Sequence, residues 1–118
     1  MSIISRVKFL AIILPIFMLI LGFLALSFHF VLKGKHEDEI HKVIEADGGA
    51  VLDIEKVNGD SSPFEKLSGA NRYYKVVFKQ EGKRKTAWYR GSVIVNNIHK
   101  TPKDGYPEKW LFNDQEKD

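Results

Sequence analysis

The stretch KGKHEDEIHKV, residues 33–43, places two imidazoles and three consecutive acids close together. A zinc-hydrolase helix carries H-E-x-x-H, because histidines at i and i+4 aim at one ion and the glutamate between them serves as base. Here the order is His36-Glu37-Asp38-Glu39-Ile40-His41, with the histidines five residues apart. At about 100° per residue, four steps leave two side chains about 40° apart, and five leave them about 140° apart. His36 and His41 therefore cannot share an ion from a regular helix. His36 falls near the apolar side with Ile40 and Val43, and His41 faces elsewhere. His99 is distant in sequence, and His29 lies at the end of an apolar run. The stretch reads as the start of a helix, and no metal ligand is expected.

Other reactive chemistry is equally sparse. The chain has no cysteine, which excludes disulfides, thiol catalysis and thiolate metal sites. Ser61, Ser62, Ser68 and Ser92 occur outside any G-x-S-x-G nucleophile elbow. Neither a P-loop nor G-x-G-x-x-G is present. The carboxylates of residues 37–55 read as a solvated face. No catalytic or cofactor-binding residue is expected, and the chain reads as non-enzymatic.

The residues best suited to recognition are basic and aromatic. Lys83, Arg84 and Lys85 cluster at an expected hairpin turn, with Lys75, Lys79 and Arg90 along its strands and Tyr73 and Trp88 interleaved. Such a face suits anionic cell-wall polymers, lipid headgroups or an acidic protein surface. The competing reading is edge-strand protection, since Lys and Arg discourage sheet-to-sheet pairing. Charge is segregated along the chain. Residues 36–65 hold two Lys and nine acids, residues 66–103 ten Lys or Arg and one acid, and residues 104–118 two Lys and five acids. Neighbouring blocks that neutralise one another in the fold are the alternative to a basic binding face.

The elements that must position these residues begin with an anchor. Phe9 to Leu32 is an uncharged run of 24 residues. As a helix it spans roughly 36 Å, enough to cross a hydrocarbon core of about 30 Å. Pro15 and Gly22 are tolerated in membrane helices. The competing reading is a cleaved signal peptide, with Arg6 and Lys8 as its basic end and Ala25-Leu26-Ser27 as the cleavage site. The apolar stretch runs on through Phe28, Phe30, Val31 and Leu32, beyond the about 7–15 residues of a signal core, which favours an uncleaved anchor. Arg6 and Lys8 favour a cytoplasmic N-terminus and an extracytoplasmic domain; Lys33 and Lys35 argue the opposite way. The expected organisation is a tail at 1–8, a transmembrane helix at 9–32, a joint at 33–35, a domain at 36–112 and a frayed end at 113–118.

Within the domain, residues 36–47 read as an amphipathic helix with Ile40, Val43 and Ile44 on one side, and acids in its first turn where the helix dipole favours them. Gly48-Gly49 stops it, with Gly48 as the left-handed C′ residue. Gly34 either breaks the backbone or is passed through. Strands follow at 50–57 (Leu52 and Ile54 on one face), 72–80 (Tyr74, Val76 and Phe78 on one face) and 84–95, with a turn at 80–83. Gly91 marks a bulge or bend. Residues 58–71 form a loop whose Phe64 and Leu67 fold back. Tyr106, Trp110, Leu111 and Phe112 pack on the sheet. This order, α-β-β-β, makes a two-layer α+β domain.

The helix EIHKVIEADGG, the strand VLDIEKV and the hairpin YYKVVFKQEGKRKTAWY resemble the small cystatin-like modules of bacterial envelope proteins, PepSY-type domains in particular. The chain departs from that pattern after the hairpin, where it reads RGSVIVNN rather than an Asp followed by a Gly turn. As a whole it is similar to short Firmicutes proteins with one N-terminal anchor and one small envelope domain. The resemblance implies an accessory or regulatory module, of a kind proposed to restrain peptidases, with no catalytic residues. The expectation is thus a single-pass membrane protein, set in the lipid bilayer, whose extracytoplasmic domain binds a protein or an anionic envelope polymer and no nucleic acid. A peptidase inhibitor or immunity-type protein is the alternative, and a small hydrolase a weaker one.

Overall fold

A computed structural model of the chain describes residues 3–112; the expected frayed end at 113–118 lies outside them. The chain forms two compact units, Met1–Val31 and Leu32–Asp118. One helix, α1 (Ile3–Ala46), contributes to both. It begins within the stretch read as a tail, keeps Pro15 inside it and passes through Gly34. In the first unit it is long and apolar enough to cross a membrane, and none of its apolar window is buried.

In the second unit α1 buries Leu32, His36, Ile40 and Ile44, a single stripe at four-residue spacing. The stripe starts one turn before the expected domain boundary, because Leu32 at the end of the apolar run already belongs to this core. The helix ends as its glycines dictate. Gly48 adopts φ 85°, its N–H donates to the carbonyl of Glu45, and that of Gly49 donates to the carbonyl of Ile44. These are the paired bonds of a Schellman cap.

The sheet is an antiparallel meander of four strands in the order β1 (Ala50–Val57), β2 (Asn71–Gln80), β3 (Lys83–Ser92) and β4 (Lys109–Phe112). Glu81 and Gly82 connect β2 to β3 with φ of 53° and 76°, the two-residue turn whose twist matches paired strands. Three strands were expected. The fourth comes from the C-terminal segment, whose Trp110 and Phe112 pair opposite Tyr89 and Ala87. Tertiary pairing makes a strand there despite weak periodicity and nearby prolines.

Two local expectations need correction. The β1–β2 register shifts between Val51 and Asp53, so Leu52 is exposed while Val51 and Ile54 pack on the core. Gly91 marks no bulge, since β2 and β3 pair without a break past it. A Cβ at Gly91 would lie 2.6 Å from His36 Nε2; glycine is there because the histidine ring rests on the strand.

The core joins Ile40 and Ile44 to Tyr74, Val76, Phe78, Ala87 and Tyr89. His36 is wholly buried among them. Its Nε2 lies 2.8 Å from the carbonyl oxygen of Ser92, which only accepts, so Nε2 carries the proton. Its Nδ1, 2.8 Å from the Tyr74 hydroxyl, then accepts from that hydroxyl. Burial pushes the His36 pKa below the ordinary histidine value, outweighing the opposing bond to Ser92, and Arg72 adds to the fall. Burial likewise pushes the Tyr74 hydroxyl up. Below about pH 6.5 an unfolded imidazole takes a proton that the folded ring resists, so stability declines as pH falls through that range. Denaturant midpoints followed by tryptophan fluorescence at pH 7.5 and 5.0 will show a larger loss in the native chain than in His36→Gln, which does not titrate. Equal losses would remove His36 as the source.

Candidate functional site

Register decides which basic residues share a surface. On β2 and β3, Tyr73 pairs with Arg90, Lys75 with Trp88, Val77 with Thr86 and Lys79 with Arg84. Alternation sends these pairs to the sheet face opposite α1, because Tyr74, Tyr89, Val76 and Ala87 fill the other. The flanking strands extend the rows, with Glu55 beside Lys75 and Leu111 beside Trp88. Six of the eight sequence-derived residues, Tyr73, Lys75, Lys79, Arg84, Trp88 and Arg90, therefore share one face. Lys83 and Lys85 do not. They pair with Gln80 and Phe78 and belong to the helix side, where Lys85 Nζ donates to Gln80 Oε1 at 3.2 Å. Clustering along the sequence around a turn does not mean sharing a face, because neighbours on a strand point in opposite directions.

The face is divided in two. At one end Tyr73 and Arg90 are only 4% and 5% exposed, covered by the loops around Phe64 and Tyr106. The Arg90 guanidinium lies 5.2 Å from the Phe64 ring centre and 5.5 Å from that of Tyr106. Its Nε donates to the Pro107 carbonyl at 2.9 Å and its Nη1 to the Lys66 carbonyl at 3.2 Å. Burial lowers its pKa, with Tyr73 and Tyr106 opposing the shift. The Tyr73 hydroxyl receives the Ser68 N–H at 2.9 Å. Buried Asn71 completes the clamp, donating to the carbonyls of Gly91 and Tyr106 and accepting from the Tyr106 N–H. Tyr73 and Arg90 thus hold loops rather than display a surface. A groove of about 630 Å³ beside them is lined by Phe64, Lys66, Arg90 and Leu111, among others.

At the other end the face is open. Lys79 and Arg84 are exposed, Lys75 and Trp88 half-buried, and Lys75 Nζ sits 5.9 Å from the Trp88 ring centre. This strip offers cationic groups over an aromatic and aliphatic floor.

A second cluster, on the helix side of the fold, escaped sequence reasoning. His99 was read as distant; the chain brings its ring between two glutamates. Its Nδ1 lies 3.0 Å from Glu108 Oε1 and its Nε2 3.6 Å from Glu39 Oε2. The bond to Glu108 is the main cause raising the His99 pKa above its ordinary value, with a smaller contribution from Glu39. Residues 39, 99 and 108 sit on three separate segments, and no local pattern signals their meeting.

No protein-family model, curated protein or solved structure matches this chain. The likeness to PepSY-type domains rests on the residues quoted for it alone.

If Arg90 is the clamp, Arg90→Ala will speed amide hydrogen exchange at residues 63–68 and 105–107 and cost about 2 kcal/mol of stability. Arg90→Lys will not restore protection, since an ammonium lacks the planar donor fork. Unchanged exchange in those loops would assign their order to other contacts.

Proposed function

We propose that this chain is a membrane-anchored, non-enzymatic binding module that recognises an anionic component of the cell envelope. The observation that carries the reading is the open strip of Lys75, Lys79, Arg84 and Trp88, brought together by β2–β3 register. Same-face residues repeat about every 7 Å along a strand, and strands lie about 4.8 Å apart. An extended anion with regular charges can follow such a strip, while Trp88 and Leu111 supply apolar contact. Asp53 and Glu55 on β1 bound the strip on one side and orient a polyanion along it.

The anchor reading draws support from α1. A long apolar helical surface exposed to water costs about 25 cal/mol for each Å², and a bilayer removes that cost. In this proposal the N-terminus is cytoplasmic and the unit from Leu32 onward faces outward. A cystatin-like, PepSY-type classification belongs to the same proposal; a helix lying across an antiparallel meander is the arrangement it calls for.

Two measurements test the reading. The full chain in detergent, titrated with inorganic polyphosphate, will bind less tightly as salt rises, because the contacts are exposed and screened. Replacing Lys75, Lys79 and Arg84 together with Gln will weaken binding at least about tenfold at low salt. Indifference to both salt and substitution would reject an electrostatic face. Separately, protease added to intact cells will remove the unit beyond residue 32. Protection in intact cells followed by cleavage after lysis would reverse the orientation.

A further inference from the structure

We propose that Glu39, His99 and Glu108 form a site for a divalent transition-metal ion of the zinc type. Glu39 lies on α1, His99 in the loop after β3 and Glu108 immediately before β4. One ligand atom from each lies within 4.8 Å of the other two. An ion that holds its ligands at about 2.0–2.2 Å needs them closer still, about 3.0–3.6 Å apart. The observed contacts of 3.0 and 3.6 Å already reach that range, though through different imidazole nitrogens. One nitrogen binds an ion, so either the half-exposed His99 ring or the Glu39 carboxylate turns to complete the set.

Three features favour an ion over a simple ion-pair triad. The first is charge. Among the described residues, Glu39 and Glu108 make ion pairs with His99 alone. Two carboxylates around one imidazolium leave a net charge of −1; two carboxylates and a neutral imidazole around a divalent ion sum to zero. Their side chains are only 15% and 23% exposed, so water compensates that excess charge poorly.

The second is the outer shell. The hydroxyl of fully buried Tyr89 donates a hydrogen bond to Glu108 Oε2. This fixes the carboxylate and leaves Oε1 aimed at His99, as metal-ligating carboxylates are commonly held. The His99 backbone N–H is tied to Asn97 Oδ1 at 3.1 Å, which steadies the loop.

The third is access. A cavity of about 300 Å³ opens beside Glu39 and His99, bordered also by Lys35, Asp38, Lys42 and Asn97. It leaves room for water on the remaining coordination positions. Three protein ligands with open positions make a site that exchanges its ion. An ion here would join the helix to the C-terminal strand across the chain's longest irregular connection.

The site is independent of the open strip, and the test keeps them apart. The full chain in detergent, prepared without a polyhistidine tag, is titrated with Zn²⁺ by calorimetry at pH 7.5. One Zn²⁺ per chain is expected. His99→Gln, Glu39→Gln and Glu108→Gln will each lower affinity about tenfold or more. Glu37→Gln, on a neighbouring helical acid, and the Lys75/Lys79/Arg84 triple substitution will leave it unchanged. Near-ultraviolet circular dichroism confirms that each variant is folded, and Co²⁺ in place of Zn²⁺ will give a visible absorption band that His99→Gln abolishes. Absence of saturable binding below millimolar Zn²⁺, or equal affinity in the native chain and the folded His99→Gln variant, would overturn the proposal. So would an equal loss in Glu37→Gln.

Discussion

The buried imidazole of His36 ties the fold together. It lies between the Tyr74 hydroxyl on β2 and the Ser92 carbonyl at the end of β3, with its ring edge-on to Tyr74 and Tyr89. A helix that packed by apolar contact alone could slide along the sheet at little cost. Two directional bonds to a desolvated ring permit one position, because leaving either ring nitrogen unpaired in the core costs about 1–3 kcal/mol. The same contact explains Gly91, where any side chain would enter the space of the ring. It also fixes the rotation of α1 about its axis, which directs Glu39 toward His99 and leaves His41 exposed.

With the helix seated on one face, the opposite face becomes the surface on which the proposed binding rests. Its two ends differ because two loops reach only one of them. Phe64 and Tyr106 sandwich Arg90, while Asn71 and Tyr73 bind the same loops through their side chains. A charge buried without a carboxylate is costly; here backbone carbonyls and aromatic rings supply the compensation. What remains uncovered is a shorter strip than the distribution of basic residues suggests. Acidic β1 lies directly beside basic β2, so the segregated charges along the chain become neighbouring stripes: they partly offset one another and still leave Lys79 and Arg84 exposed.

Much of the architecture is legible in the sequence. The apolar run from Phe9 declares itself by length alone. The Gly48 cap, β1 at 50–57, β2 and the two-residue turn at Glu81-Gly82 follow from glycine chemistry and from alternation, both properties of a few adjacent residues. Even the opposed directions of His36 and His41 follow from helical geometry, which placed His36 near the apolar side and made a shared ion impossible. β4 was not legible, since its four residues pair only because β3 offers Tyr89 and Ala87 an edge. The bulge at Leu52 was hidden for the same reason, being a relation between two strands.

The sequence by itself determined where the apolar run lies, which segments alternate as strands, where they turn, and that no cysteine, nucleophile elbow or phosphate loop is present. Those are consequences of local sterics, periodicity and composition. Only the tertiary structure decided which basic residues face the same way, that Tyr73 and Arg90 are spent on holding loops, and that Glu39, His99 and Glu108 converge. Strand register, loop coverage and helix rotation depend on contacts between residues far apart in the chain, and a spacing of 60 residues between Glu39 and His99 carries no local signal of their meeting. His36 links the two levels: helical spacing placed it on the apolar side, and its buried hydrogen bonds set how the helix meets the sheet.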